Sequence, residues 1–416
     1  MIIFPALFLA ALLLSTATRL WLARRHVRHI RAHRDRVPAS FSAEIGLDAH
    51  RKAADYSSAK TGFNMLGVVF DAAVLLILTF GGALQGIDQL AAAFFPEGIA
   101  RGVLFIAILT VILSVIGLPF DLYRTFSIEE RFGFNKMTLS MFFGDLAKQA
   151  LLGAVLGLPL LFAVLWLMAG MGGLWWLYVW LVAIAFMVFM QFIAPTVIAP
   201  LFNKFTPMEE GETKRRIEAL LARCGFTSKG LFVMDGSKRS SHGNAYFTGF
   251  GDSKRIVFFD TLLSRLNIAE IEAVLAHELG HFRMRHVIKR LVLVAVFSLV
   301  FFLVLGLLKN QPWFYEGLHV AYPATDAMAL TLFFMVVPVF TFLAQPLLAM
   351  YSRAHEFEAD AYAAKFAPAR DLVQALVKLY KDNASTLTPD PLHSAFYDSH
   401  PPASIRIARL EQLAKA

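Results

Sequence analysis

The sequence predicts a mainly α-helical, polytopic membrane protein, with seven transmembrane helices around a chamber and its soluble segments gathered on one side. Three observations carry that expectation. Hydrophobic residues make up 57% of the 416-residue chain, 39 of them Phe, and the mean hydropathy is +0.58, too apolar for an ordinary soluble domain. Apolar runs near the twenty residues that a helix needs to cross hydrocarbon recur along the chain. Between the fifth and sixth runs stands His277-Glu278-Leu279-Gly280-His281, an H-E-x-x-H on a stretch with the apolar spacing of a helix.

The runs fall at residues 2–22, 64–87, 102–122, 148–169, 174–197, 287–308 and 327–350. No basic residue precedes the first, and Arg24, Arg25, Arg28, Arg31, Arg34 and Arg36 follow it. A cleaved signal peptide has the opposite polarity, so the reading is an uncleaved span with its N-terminus outside. Most of the Lys and Arg then lie in loops 24–63, 123–147 and 198–286 and in the tail from 351. Loops 88–101, 170–173 and 309–326 are short and carry little positive charge. The alternation puts the H-E-x-x-H segment and the C-terminus in the cytoplasm. The chain accordingly divides at 1–197 (five spans), 198–286 (soluble), 287–350 (two spans) and 351–416 (soluble).

The net charge of +8 is the basic flank of these spans, with membrane lipid as the partner and no nucleic acid. A single cysteine, Cys224, excludes a disulfide framework and a thiolate metal site. Asp71, Gln191 and Gln345 fall within spans. Such groups are tolerated facing water inside a helix ring or hydrogen-bonded between helices, and both readings stay open.

Residues four apart share a helix face, so His277 and His281 can reach one metal ion. Glu278, one residue on, has the position of a general base. With thiolates excluded, His and carboxylate must supply the ligands of a zinc site. The chain lacks Gly at 284 and His at 287, having Met284 and Val287, which removes the metzincin pattern. His286 lies five residues beyond His281, points to a different side of the helix and reads as a loop or membrane-edge histidine. A helical stretch in the tail carries Glu356, Glu358 and Asp360. Glu356 and Asp360 share a face, and Glu358 lies about 200° round. One of the first two would complete a His₂Glu site, and the other would accept a hydrogen bond from a ligating imidazole. His355 reads as facing outward. Asn244–Phe250 and Arg255–Phe259 read as strands of a hairpin turning at 251–254.

The combination of H-E-L-G-H with Glu356-Phe357-Glu358-Ala359-Asp360 resembles the Ste24-like CAAX prenyl proteases, membrane zinc metallopeptidases of the M48 family. Four further stretches share the resemblance: Glu129 to Lys136, Ala199 to Pro207, Asp235 to Phe247, and Ser399-His400-Pro401-Pro402 with Arg406. The resemblance covers essentially the whole chain. It implies a gluzincin-type zinc domain with His277, His281 and Glu356 as ligands to one Zn²⁺, Glu278 as general base and Asp360 behind a ligating histidine. It implies that His400 and Arg406 stabilise the oxyanion, and that Asn244, Ala245 and Tyr246 lie on a substrate strand beside the site. Gly243 stands where relatives often have Ser, which would loosen that approach. The implied activity is C-terminal processing of lipidated or membrane-associated peptides; relatives trim three residues after a prenylated cysteine. The compact chain suggests a bacterial homologue in an inner membrane. A membrane-protein quality-control protease would use the same chemistry. A non-catalytic transporter or scaffold with a retained metal site is the rival from another class, and an intact Glu278 argues against it.

Overall fold

The structure is a computed structural model that describes residues 3–248 and 255–415. Seven helices among them are long and apolar enough to cross a membrane: Ile3–Ala32, Leu47–Leu78, Ile99–Glu129, Leu139–Gly170, Gly172–Phe202, His286–Leu308 and Asp326–Phe366. The second differs from the expected 64–87. It begins in the basic loop and ends at Leu78, and a separate helix, Ala83–Phe94, follows the Gly81-Gly82 turn. Hydropathy runs through that turn without a drop, so only the glycines mark it. The seventh also passes the expected soluble boundary at 350–351, continuing as Gln345–Phe366 after a tight turn at Phe342–Ala344.

The span core is gathered at one end. Phe8, Phe105, Leu165, Trp175, Leu305 and Phe333 belong to one buried cluster. These residues come from the starts of the first, third, fifth and seventh spans and the ends of the fourth and sixth, so all seal the same end. Toward the opposite end burial thins: the fifth span has no buried residue after Val179. That opposite end carries the soluble segments.

A four-stranded sheet forms there from β1 (Phe205–Pro207), β2 (Leu231–Met234), β3 (Ala245–Thr248) and β4 (Arg255–Phe259). Its order is β1-β2-β4-β3, with β2 and β4 parallel and the other pairs antiparallel. The expected hairpin is β3–β4, with Ala245 opposite Phe258; its turn lies outside the described residues. β3 is an edge strand. The sheet shares a core with helices Glu212–Arg223, Ile268–Arg283, Gln345–Phe366, Ala369–Asp382 and Ala403–Leu413 and with the short helix Asp260–Leu263.

Ile268–Arg283, the motif helix, starts at a capping box in which Asn267 and Glu270 satisfy each other's backbone N–H groups, a local device that fixes its first turn. It lies against Gln345–Phe366, the acidic helix. Gly280 makes the contact possible: a Cβ there would stand 2.9 Å from Cα of Ala359 and 3.1 Å from its carbonyl oxygen. The glycine inside H-E-L-G-H thus brings two helix backbones together. On the membrane side, Arg239 holds Asp145 of the fourth span with a two-pronged ion pair (2.8 and 3.1 Å) and also reaches Asn203 (3.1 Å). Asn135, in the loop before that span, bridges to Ser240.

Candidate active site

The close approach at Gly280 places His277 and His281 opposite Glu356. Nε2 of His277 lies 3.2 Å from Nε2 of His281 and 3.4 Å from Oε2 of Glu356, and Nε2 of His281 lies 3.3 Å from Oε1 of Glu356. Behind His277, Nδ1–H donates to Oδ1 of Asp360 at 2.8 Å. Asp360 is itself gripped by Arg406 through Nε (2.9 Å) and Nη2 (2.6 Å). Both are nearly fully buried.

Behind His281 stands His286. The Nδ1 atoms of the two rings are 2.9 Å apart, and Nε2 of His286 is 2.9 Å from Oε2 of Glu358. With Nε2 of His281 turned to the cluster, its Nδ1–H donates to His286, whose Nε2–H donates to Glu358; the chain of contacts assigns both tautomers. His286, the first residue of the sixth span, does stand at the edge of a span, but it turns toward His281 rather than to a different side. His355 does not face outward either: it is buried, with its ring stacked on His286 at 3.9 Å and 9°. Arg285 takes a left-handed backbone (φ 56°) between the motif helix and the sixth span, and this reversal swings His286 back under His281.

This donor set fits a cation. Both ligand-side imidazoles carry their protons on Nδ1, so two Nε2 lone pairs and a carboxylate face one point. Oε2 of Glu356 is buried with no hydrogen-bond partner. Edges of 3.2–3.4 Å match those of a tetrahedron with ligand bonds of about 2.0–2.1 Å. Burial opposes charge on His277, yet its hydrogen bonds to Asp360 and Glu356 prevail and raise its pKa to about 9.

Around the cluster, Glu278 is half-buried and lines a cavity of about 320 Å³ together with Asn244, Ala245, His400 and Arg406. His400 is exposed, with Nε2 3.3 Å from Oε1 of Glu356. Its loop is held by Arg353, whose Nη1 donates to the carbonyls of Ser394, Ala395 and Asp398. Arg406 also lines the cavity: its Nε and Nη2 are engaged by Asp360, and its Nη1 stands 3.5 Å from Oε2 of Glu356, on the side of the ligand cluster. Tyr246 faces a different cavity, beside His281. A Cβ at Gly243 would meet nothing closer than Leu262, at 3.5 Å, and the Gly243 N–H donates to Oδ1 of Asn383 at 3.2 Å.

A family pattern described as "CAAX prenyl protease N-terminal, five membrane helices" matches residues 26–204, and one described as "Peptidase family M48" matches residues 207–414. The CAAX prenyl protease 1 homolog of Arabidopsis thaliana is 35% identical over 387 residues, covering 90% of each chain. The chain belongs to the M48 peptidase family. The Saccharomyces cerevisiae CAAX prenyl protease 1 is 33% identical, over 91% of this chain and 89% of its own length. The crystal structure of S. mikatae Ste24p superposes with a TM-score of 0.91 at 30% identity, covering 98% of this chain and 99% of that one. This M48 peptidase is thus an integral-membrane metallopeptidase of the CAAX prenyl protease 1 type, which leaves no place for the non-catalytic scaffold. Of its site, the relay through His286 and Glu358 and the loop anchor Arg353 had gone unread in the sequence.

Proposed function

We propose that this M48 peptidase is a zinc metalloendopeptidase that removes C-terminal residues from lipidated peptides at the membrane. The observation that carries the proposal is the meeting of three things in one place: a triangle of metal-ligand atoms, a carboxylate one residue along the motif helix, and a free sheet edge. His277, His281 and Glu356 would hold one zinc. When bound, zinc supplies Lewis-acid polarisation of the scissile carbonyl and makes water acidic near neutral pH. The chain's own residues do the rest. β3 offers backbone groups to an extended peptide. Glu278 accepts a proton from the attacking water and delivers it to the leaving amine. His400 stands beside the ligands, where it can donate to a developing oxyanion. Asp360, held by Arg406, and His286, held by Glu358, fix the tautomers and ring planes of the two histidine ligands. The lipidated substrate class comes from the relatives' names, which call them CAAX prenyl proteases. The purified protein is expected to carry one zinc and to release the residues beyond a farnesylated cysteine, losing both zinc and turnover on chelation; zinc-loaded protein inert toward every such peptide would overturn the reading.

The relay behind His281 has a separate expected result. His286→Ala should lower zinc affinity about 10–100-fold, the usual cost of losing a hydrogen-bonded partner of a ligand, and Glu358→Gln should cost less because Glu358 is half exposed. Competition with a chromophoric chelator measures both; unchanged affinity in His286→Ala would remove the relay from the metal site.

The spans pack at the end remote from the site and part toward it, which supports a hydrated chamber opening on the metal. The basic loops support an N-terminus outside and a cytoplasmic active site and C-terminus. A reporter fused after residue 416 is expected to register cytoplasm, and a signal from outside would reverse the orientation. The bacterial inner membrane rests on the compactness of the chain, since the relatives named above are eukaryotic.

A further inference from the structure

Two cavities flank the ligand triangle, and β3 runs from one to the other. Asn244 and Ala245 line the smaller one with Glu278, His400 and Arg406. Two residues on, Tyr246 and Phe247 line a larger one, of about 740 Å³, with His281. The larger cavity is of a different character. Its far wall is the end of the fifth span nearest the sheet, including Gln191, Ala194 and Ala199, and the first turn of the sixth, including Ile288. Its volume lies within the roughly 300–1,000 Å³ of small-molecule pockets, its walls are largely apolar, and they are built from the membrane helices themselves.

The direction of a bound peptide decides which part of a substrate meets each cavity. β3 already pairs antiparallel with β4 and has its other edge free among the described residues. Antiparallel addition is the slightly stronger ladder. A peptide antiparallel to β3 runs past Phe247 and Tyr246 first, crosses the metal ligands, and ends beside Asn244. Its residues before the scissile bond therefore lie at the large apolar cavity, and the leaving C-terminal piece lies in the small polar one.

We propose that the cavity between His281 and the fifth and sixth spans is the binding site for the isoprenoid chain carried by the substrate residue on the N-terminal side of the cleaved bond. This assignment rests on the peptidase reading above and adds to it a place and a direction. The apolar chain is buried against span residues that would otherwise face the chamber, and the released tripeptide leaves through the smaller cavity.

The test uses the full-length, zinc-loaded protein and one peptide in two forms, farnesylated and unmodified at the same cysteine. Ala194→Phe and Ala199→Phe narrow the large cavity, and Ser385→Phe narrows the small one. The two alanine variants are expected to raise KM for the farnesylated form at least about tenfold more than for the unmodified form, the scale of discrimination that a filled apolar pocket gives. Zinc content and melting temperature, recorded for each variant, separate this from a folding defect, and the ratio between the two forms is insensitive to the fraction of active protein. Equal effects on both forms, or a selective loss confined to Ser385→Phe, would overturn the assignment. Wild-type protein that cleaves the unmodified form but shows no preference for the farnesylated one overturns it while leaving the peptidase reading intact. Zinc-loaded protein that cleaves neither form removes the peptidase reading first.

Discussion

Glu278→Gln is expected to keep its zinc and lower peptide turnover by about three to four orders of magnitude, the upper range for a lost general base. The side chain is not among the ligand atoms, so the triangle of His277, His281 and Glu356 survives the change. Glutamine matches glutamate in size and leaves the packing of the motif helix undisturbed, yet it accepts no proton. Glu278 lines the cavity that holds Asn244 and Ala245, so the variant should also retain bound peptide and serve as a substrate trap. Metal analysis combined with single-turnover hydrolysis checks it, and near-normal turnover would remove Glu278 from the chemistry.

The second large effect concerns the third ligand. Glu356→Ala deletes the carboxylate that both histidines face, and two imidazoles alone hold zinc poorly. Apparent affinity should fall by more than the about 10–100-fold lost on removing an outer partner, and turnover should disappear with the metal. The vacated space adjoins Arg406, whose Nη1 sits 3.5 Å from Oε2 of Glu356, so the variant also leaves buried positive charge less well balanced. Metal content after dialysis against a chelator is the measurement. Full occupancy with unchanged activity would send the assignment elsewhere, with Glu358 the next carboxylate to examine.

How much of this was legible in the chain depended on the range over which each signal acts. Helix spacing is local, and it paired His277 with His281 and Glu356 with Asp360 without reference to anything distant. Span hydropathy is local too, and it found seven helices, though it read through the turn at Gly81-Gly82 because apolar residues continue on both sides. His286 was misplaced because a helical wheel applies only within one helix. The left-handed residue Arg285 breaks the motif helix, and the ring returns beneath His281 by a turn that the spacing does not encode. His355 followed from the same error, since its ring packs against His286 as well as Tyr351. The strands β1 and β2 carry only three and four residues, too few for periodicity to register. The parallel pairing of β2 with β4 is made across the intervening strand β3, which takes the edge position, and no local spacing encodes that. The clearest long-range clue, the glycine in H-E-L-G-H, was visible as a residue but not as a contact, because its partner Ala359 lies beyond two spans.

The acidic helix is also the end of the seventh span. Glu356 stands fifteen residues past Thr341, where the tight turn begins, an arm of about 22 Å. Tilting that arm by only about three degrees moves the carboxylate by roughly an ångström, whereas metal–ligand distances tolerate about 0.2 Å. The other two ligands sit on a helix joined to the sixth span through two residues, Met284 and Arg285. Helix tilt in a membrane responds to hydrocarbon thickness. The close backbone approach of Gly280 to Ala359 is therefore also a clamp: it ties the ends of two span-borne helices to each other, so that the ligands they carry move together rather than apart.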